Sequence, residues 1–433
     1  MRFPAHARPF RKERKQDNGL PAKSTSPSQR NNVIVFNPRA ITMQVRNFVR
    51  RHKWRLRPLR RLVLPARSIK RAALESIGAF WGRIPPRLEL STLDYASEHT
   101  EISVREIRCA EVVRLPPHPF RTHTSFGELK AAPAFVFEIP NVNFWAHYGG
   151  AVVTADNALL ADLSPEVWGP ANHPIFSRWH LPESELLNGR IAIAVTPEAG
   201  ANYYHWLLDL LPRVLLLKHA TQNFSNYDTL LLNGSRANYE RETLTALEVP
   251  PEKIRFVDSH DRFQIASAVF PSLDNNVVAP WKVHGLHQLA SPVQSNQHRR
   301  RLYLSRARAA VRRITNEKEI SEALRQHDFE ILEAETQSFR EQADLFANAS
   351  AIVAPHGAAL ANIVFCQPGT RVVEITTRAG YRDWYWQLAT VAGLSYEVLE
   401  AQPTRSSSGP IENADMIVSR QGLARLLESL CAH

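Results

Sequence analysis

The chain has 433 residues, 44% hydrophobic and 9% aromatic, more than one ordinary core absorbs, which points to two globular domains plus an extra segment. Its formal charge of +11 is unevenly placed: residues 1–72 hold 20 of the 53 Lys/Arg beside only Glu13 and Asp17, and the remainder sets 33 basic residues against 40 acidic ones. A mildly acidic body argues against nucleic acid as its partner, no apolar run reaches the ~18–20 residues of a membrane span, and the N-terminus lacks the apolar stretch of a secretory signal.

Cys109, Cys366 and Cys431 show neither paired nor metal-like spacing, so free thiols in a reducing compartment are expected. Together these features point to the cytoplasm. Residues 1–31 have little to bury and are expected to be disordered. Residues 41–64 interleave Val45, Phe48, Trp54, Leu56 and Leu62 with Arg and Lys, a pattern that suits an anionic membrane surface. The same composition allows a solvated tail, an arm packed on the body, a nucleic-acid contact or an organellar targeting peptide. A location peripheral to the inner face of the cell membrane follows from the first of these.

From about residue 100 the pattern becomes globular. Residues 133–140 and 150–164 alternate apolar and polar positions with a turn at Asp156-Asn157, as a β meander ahead of the main domain would. Strands are predicted at 190–196, 229–234, 254–257 and 266–270, with helices after Asn202 and over 239–247. Residues 271–299 are rich in Pro, Asn, Gln and His and read as an irregular crossing between domains. A second run follows, with strands at 301–305 and 329–332, a helix at 316–326, and a capping-box spacing at Ser338 and Glu341 that opens a helix to Asn348. Alternating strands and helices imply parallel α/β layers. The expected domains are a basic arm at 1–72, an N-terminal α/β domain at 73–285 and a C-terminal α/β domain at 286–433, closed by a helix over 423–430.

The stretch Ser350–Ile375 is the most informative. Ala351–Ala354 has the length and branching of a buried strand, Pro355-His356-Gly357 breaks it, Ala358–Cys366 reads as a short helix, and Arg371–Ile375 is a second strand. Its punctuation falls at a strand's C-terminal end, where open parallel sheets bind ligands and helix N–H groups meet phosphate. Gly357, Ala358 and Ala359 leave room for that approach. Arg306 and Arg312 are predicted at the same sheet edge, where guanidinium forks grip a diphosphate. Glu374 could accept hydrogen bonds from a ribose or stand as an edge-strand charge, and Trp384-Tyr385-Trp386 could stack a base or fill the core.

Between Asn202 and Leu217, Trp206, Leu207, Leu210, Leu211, Val214 and Leu215 make an apolar helical face. His205, Asp209 and Arg213 fall at i, i+4 and i+8 on another stripe. A His–Asp pair one turn apart can take a proton, while an Asp209–Arg213 surface ion pair is the plainer alternative. Asn202 fits the N-cap, and Pro212 should kink the helix. No Asp-x-Asp and no His/Cys cluster with metal spacing occurs, so no metal or other cofactor is expected and arginines would meet the leaving charge.

Three segments, 202–213 (NYYHWLLDLLPR), 303–317 (YLSRARAAVRRITNE) and 356–375 (HGAALANIVFCQPGTRVVEI), resemble in order and spacing the core motifs of glycosyltransferase family 61, over about residues 100–420. The resemblance implies a GT-B-like fold, two Rossmann-like domains facing across a cleft, and an inverting, metal-independent transfer from a nucleotide sugar to a glycan or lipid-linked acceptor in capsular or exopolysaccharide synthesis. Carried over by motif, Arg306, Arg312, His356, Gly357, Ala358, Asn362 and Glu374 fall on the donor side. His205 and Asp209 match the motif facing the acceptor, one or the other taking its proton, with Asn202 and Arg213 also on the acceptor side. A catalytically silent scaffold that recruits polysaccharide machinery to membrane is the competing reading.

Overall fold

The computed structural model describes residues 84–431 except 121–126, 167, 179, 274–276, 291–299 and 405–409. The readings of residues 1–72, including the proposed membrane segment 41–64, lie outside the described residues. Among the described residues no helix is long and apolar enough to cross a membrane.

The fold is mixed α/β, built on two large sheets. The first takes β1 (Arg87–Glu89), β2 (Ser103–Arg108), β5 (Ala134–Trp145), β6 (Ala151–Val153), β7 (Ala158–Leu160), β8 (Glu185–Ile193), β9 (Thr229–Leu232), β10 (Ile254–Phe256) and β11 (Arg262–Pro271), with a separate hairpin of β3 (Glu111–Leu115) and β4 (Gly127–Ala131). Its order is β1-β7-β6-β5-β11-β8-β9-β10, with β2 also on β5. The meander expected at 133–164 exists as antiparallel β5, β6 and β7. It is not set ahead of the domain, because β5 pairs along β11 from Trp145 to Val136 and is continuous with the parallel strands β11, β8, β9 and β10.

The second sheet is wholly parallel and contains β12 (Arg300–Leu304), β13 (Phe329–Leu332), β14 (Ala349–Pro355), β15 (Arg371–Thr376) and β16 (Ser395–Glu400). The short strands β17 (Gln402–Pro403) and β18 (Met416–Ile417) pair beside it. Its order, β13-β12-β14-β15-β16, reverses direction between β12 and β14. Crevices at such a reversal, outside the strands' carboxyl ends, are where open α/β sheets take ligands. Arg306 follows β12 and His356 follows β14, so both sit at that crevice. The capping box at Ser338 and Glu341 forms and opens the helix Phe339–Ala347. The segment after β14 is a 3-10 helix, Ala358–Phe365.

Two expectations change. Residues 271–299 are not irregular throughout, because Pro280–Ala290 is a helix that buries Val283, Leu286 and Ala290. Its Gly285 lies so close to the neighbouring helix that an added Cβ would stand 2.9 Å from Leu215 Cδ1. The helix after Asn202 is not amphipathic, since Leu208, Asp209, Arg213, Leu216 and Leu217 are buried as fully as Trp206 and Val214. A helix covered all round belongs inside a fold, and this one shares a single core cluster with Ala192 and Val269 of the first sheet and Leu302 and Ile352 of the second. Pro212 leaves a signature here. It lacks an N–H and crowds the carbonyl four residues back, and the turn before it, Trp206–Leu210, is a π-helix between Tyr203–His205 and Leu211–Thr221. π-turns of this kind collect at functional sites.

Candidate functional site

Asn202 caps the helix as predicted, its side chain accepting from the Tyr204 N–H at 2.9 Å. His205 Nδ1 lies 2.6 Å from Asp209 Oδ2, and the Asp209 side chain is only 2% exposed. Asp209 therefore stands behind the ring and orients it, leaving Nε2 on the side away from the helix core. That nitrogen faces a residue the motif reading did not contain: Glu198 Oε2 is 3.3 Å away, on a side chain 41% exposed. Burial disfavours the charged imidazole, but hydrogen bonds to Asp209 and Glu198 outweigh it and push His205 up to about 9.

Arg213 does not face an acceptor. It is buried, and its guanidinium donates to the carbonyls of Val195 and, at 2.9 Å, Pro271. It braces the carboxyl ends of β8 and β11, where burial depresses its affinity for the proton and Asp209 opposes that.

On the other side Arg306 packs directly on the loop after β14. A Cβ built on Gly357 would stand 1.9 Å from Arg306 Nη1, so only glycine admits the guanidinium there. Arg306 Nη2 donates to the Val311 carbonyl at 3.0 Å. The nearby Glu317 carboxylate accepts the Arg306 backbone N–H at 3.1 Å and not the side chain. Arg312 holds a left-handed backbone, φ 58°. Burial lowers the pKa of both guanidinium groups, and repulsion from Arg312 lowers Arg306 further. Each has a buried Nε without a hydrogen-bond partner, and among the described residues neither is paired with a carboxylate. Arginine stays protonated in proteins, and both side chains are half-buried; two such charges side by side are the chemistry of an anion-binding site.

His356 forms the floor beside them, almost fully covered, with Nδ1 2.5 Å from Glu374 Oε1. The other oxygen of Glu374 accepts from the Tyr396 hydroxyl. Glu374 is thus fully buried with both oxygens engaged, and it does not reach a ribose: it fixes His356 from behind. Asn362 also leaves the ligand-contact set. Its Oδ1 accepts from Tyr203 Oη at 2.7 Å and its Nδ2 donates to Gln342 at 2.6 Å, all within the core. Ala358, half-buried, opens the 3-10 helix, and Tyr385 Oη donates to the Gly357 carbonyl at 2.7 Å.

The two sides meet at Trp384. Its indole stacks on Tyr204 at 5.2 Å and lies 6.1 Å from the His205 ring and 6.5 Å from the His356 ring. The Tyr203–Asn362 bond ties the helix bearing His205 to the donor-side loop. Of the aromatic triplet, Tyr385 and Trp386 fill the core and Trp384 stays half-buried beside the site. Sequence reasoning missed Glu198 and Tyr396, which belong to no motif and arrive through a turn and an edge strand. A cavity of about 850 Å³ lies elsewhere, lined by Thr377, Arg378, Glu400 and Arg425, and contains none of these groups. Among the described residues no three His, Cys, Asp or Glu side chains are grouped to hold a metal.

Residues 203–373 match the family model described as Glycosyltransferase 61. That span runs from the helix bearing His205 to β15, one residue short of Glu374. No curated protein matches the chain. Among solved structures, the dodecameric iron-containing heptosyltransferase TibC, in complex with ADP-D-beta-D-heptose, is similar at 10% identity and a TM-score of 0.26, covering 75% of this chain and 86% of that one.

Proposed function

We propose, from the glycosyltransferase family 61 match over residues 203–373, that the chain is an inverting, metal-independent glycosyltransferase moving a sugar from a nucleotide sugar to a glycan or lipid-linked acceptor. The observation that carries this reading is the pair of guanidinium groups without a directly bonded carboxylate among the described residues, Arg306 against Gly357 and Arg312 beside it. A nucleoside diphosphate supplies the anion they lack. As the anomeric C–O bond breaks, the electron pair passes to the diphosphate and the arginines meet the growing charge, each such donor typically lowering a barrier by about 3–4 kcal/mol. The acceptor hydroxyl forms the new C–O bond from the opposite face and gives its proton to His205 Nε2, with Asp209 holding the ring.

This reading treats the two sheets as GT-B-like halves that share the site. Capsular or exopolysaccharide synthesis is the setting it suits, with residues 41–64 binding an anionic inner membrane face. Hydrolysis and transfer with a panel of nucleotide sugars, in the presence of a chelator, tests it. We expect one donor to be consumed and both Arg306→Ala and His356→Ala to lose turnover. If both variants keep it, the site is wrong. If no nucleotide binds at all, the silent scaffold takes its place. Segment 41–64 is checked with anionic and neutral vesicles, and equal partitioning to both counts against a charge-driven contact.

A further inference from the structure

His205 is enclosed by carboxylates on both ring nitrogens, and the two are unlike. Asp209 is buried, one turn along the same helix, at 2.6 Å. Glu198 comes from the turn after β8 and is 41% exposed, at a looser 3.3 Å. Its backbone is in the left-handed region, φ 62°, with its carbonyl accepting the Ala201 N–H at 2.9 Å. A non-glycine residue is strained there, and such strain collects at functional positions. The other elements around His205 add no cation to it. Trp384 and Tyr204 present neutral rings, and Arg213 acts on Asp209 from inside the core. Around Glu198 the surroundings are also acidic, because Tyr148 lies where both Glu198 and Glu166 raise its phenol, after burial.

A group that must take a proton from an acceptor is therefore occupied at the nitrogen it would use. Resting on the reading of His205 as the base, we propose that Glu198 is an acceptor-operated guard: its carboxylate holds His205 Nε2 while no acceptor is bound, and the acceptor's hydroxyls draw it away. With Glu198 in place, at neutral pH almost every His205 ring keeps its proton and cannot activate water against a bound nucleotide sugar. A polyhydroxylic acceptor offers Glu198 better partners, and the freed imidazole then releases its proton to solvent and accepts the hydroxyl's. The guard separates transfer from wasteful hydrolysis.

The test is hydrolysis of the donor without acceptor, in wild type and in Glu198→Gln. At pH 7 the variant is expected to hydrolyse donor about tenfold faster, the factor for one unit of proton affinity at His205, and the two proteins converge by about pH 10. Glu198→Asp, which keeps the charge but withdraws the carboxylate, moves the same way by less. NMR titration of His205 follows the same change without substrate and shows about tenfold weaker proton binding in Glu198→Gln. Slower or equal hydrolysis by a folded Glu198→Gln, or an unmoved His205 titration, overturns the guard. Failure of the underlying function looks different: wild type then binds and hydrolyses no nucleotide sugar, whatever His205 does.

Discussion

Two buried histidine–carboxylate pairs among the described residues, of nearly equal length, are built in opposite ways. His205 and Asp209 belong to one helix, 2.6 Å apart, and a second carboxylate, Glu198, covers the free nitrogen. His356 and Glu374 come from the ends of neighbouring parallel strands, 2.5 Å apart, and the spare oxygen of Glu374 goes to Tyr396. The first pair sits among carboxylates and the second beside two guanidinium groups that no carboxylate pairs with directly among the described residues. On the proposed reading the difference sets the ligand of each half, a proton-giving hydroxyl at the first and a dianion at the second.

The largest effect expected from breaking one side alone is at Asp209. Asp209→Asn keeps the shape and removes the charge behind His205, and turnover should fall about 10²–10⁴-fold with nucleotide affinity unchanged. If affinity falls equally, the two pairs serve a single ligand and the contrast dissolves. Arg306→Ala attacks the other side: affinity for a nucleoside diphosphate should drop about 100-fold, as loss of a charge-assisted contact implies. The ligand-free variant should melt at a higher temperature, because a half-buried charge with no carboxylate bonded to it has gone and its repulsion with Arg312 with it. Calorimetry and thermal melting separate these two outcomes.

The pairs should also differ in pH response. His205 is raised in the folded protein to about 9, so its contribution is fully present below the unfolded value near 6.5 and is lost as pH rises through about 9. The loss is on the order of 3 kcal/mol, visible as a falling urea midpoint, and His205→Gln should flatten that slope. A smaller effect is expected at Gly357→Ala, where the added methyl displaces the Arg306 guanidinium. About tenfold weaker diphosphate binding with a nearly unchanged melting temperature would sharpen the assignment of the donor side. Unchanged binding would show that Arg306 reaches its ligand from another position.

What the sequence made legible follows the same division. The His205–Asp209 pair was readable because both residues lie on one helix at a fixed spacing, and the π-turn answers to Pro212. The strand ends placing Arg306 and His356 at one edge were readable from the β–loop–α–β punctuation. Glu374 was misassigned because its partner depends on sheet register, Ala354 facing Glu374, and on Tyr396 from β16. Asn362 and Arg213 were misassigned because polar side chains in a motif look alike whether they meet a ligand or satisfy the core. The helix Pro280–Ala290 was hidden by its Pro, His and Gly content, and its glycine is explained only by the nearness of Leu215.

The most direct test of the central claim is calorimetric titration of nucleoside diphosphates into the wild-type protein and Arg306→Ala in excess chelator. The account predicts that wild type binds at least one of them without a divalent ion and that the variant loses about 100-fold in affinity. Binding that needs a metal, or that survives the loss of Arg306 undiminished, would contradict it.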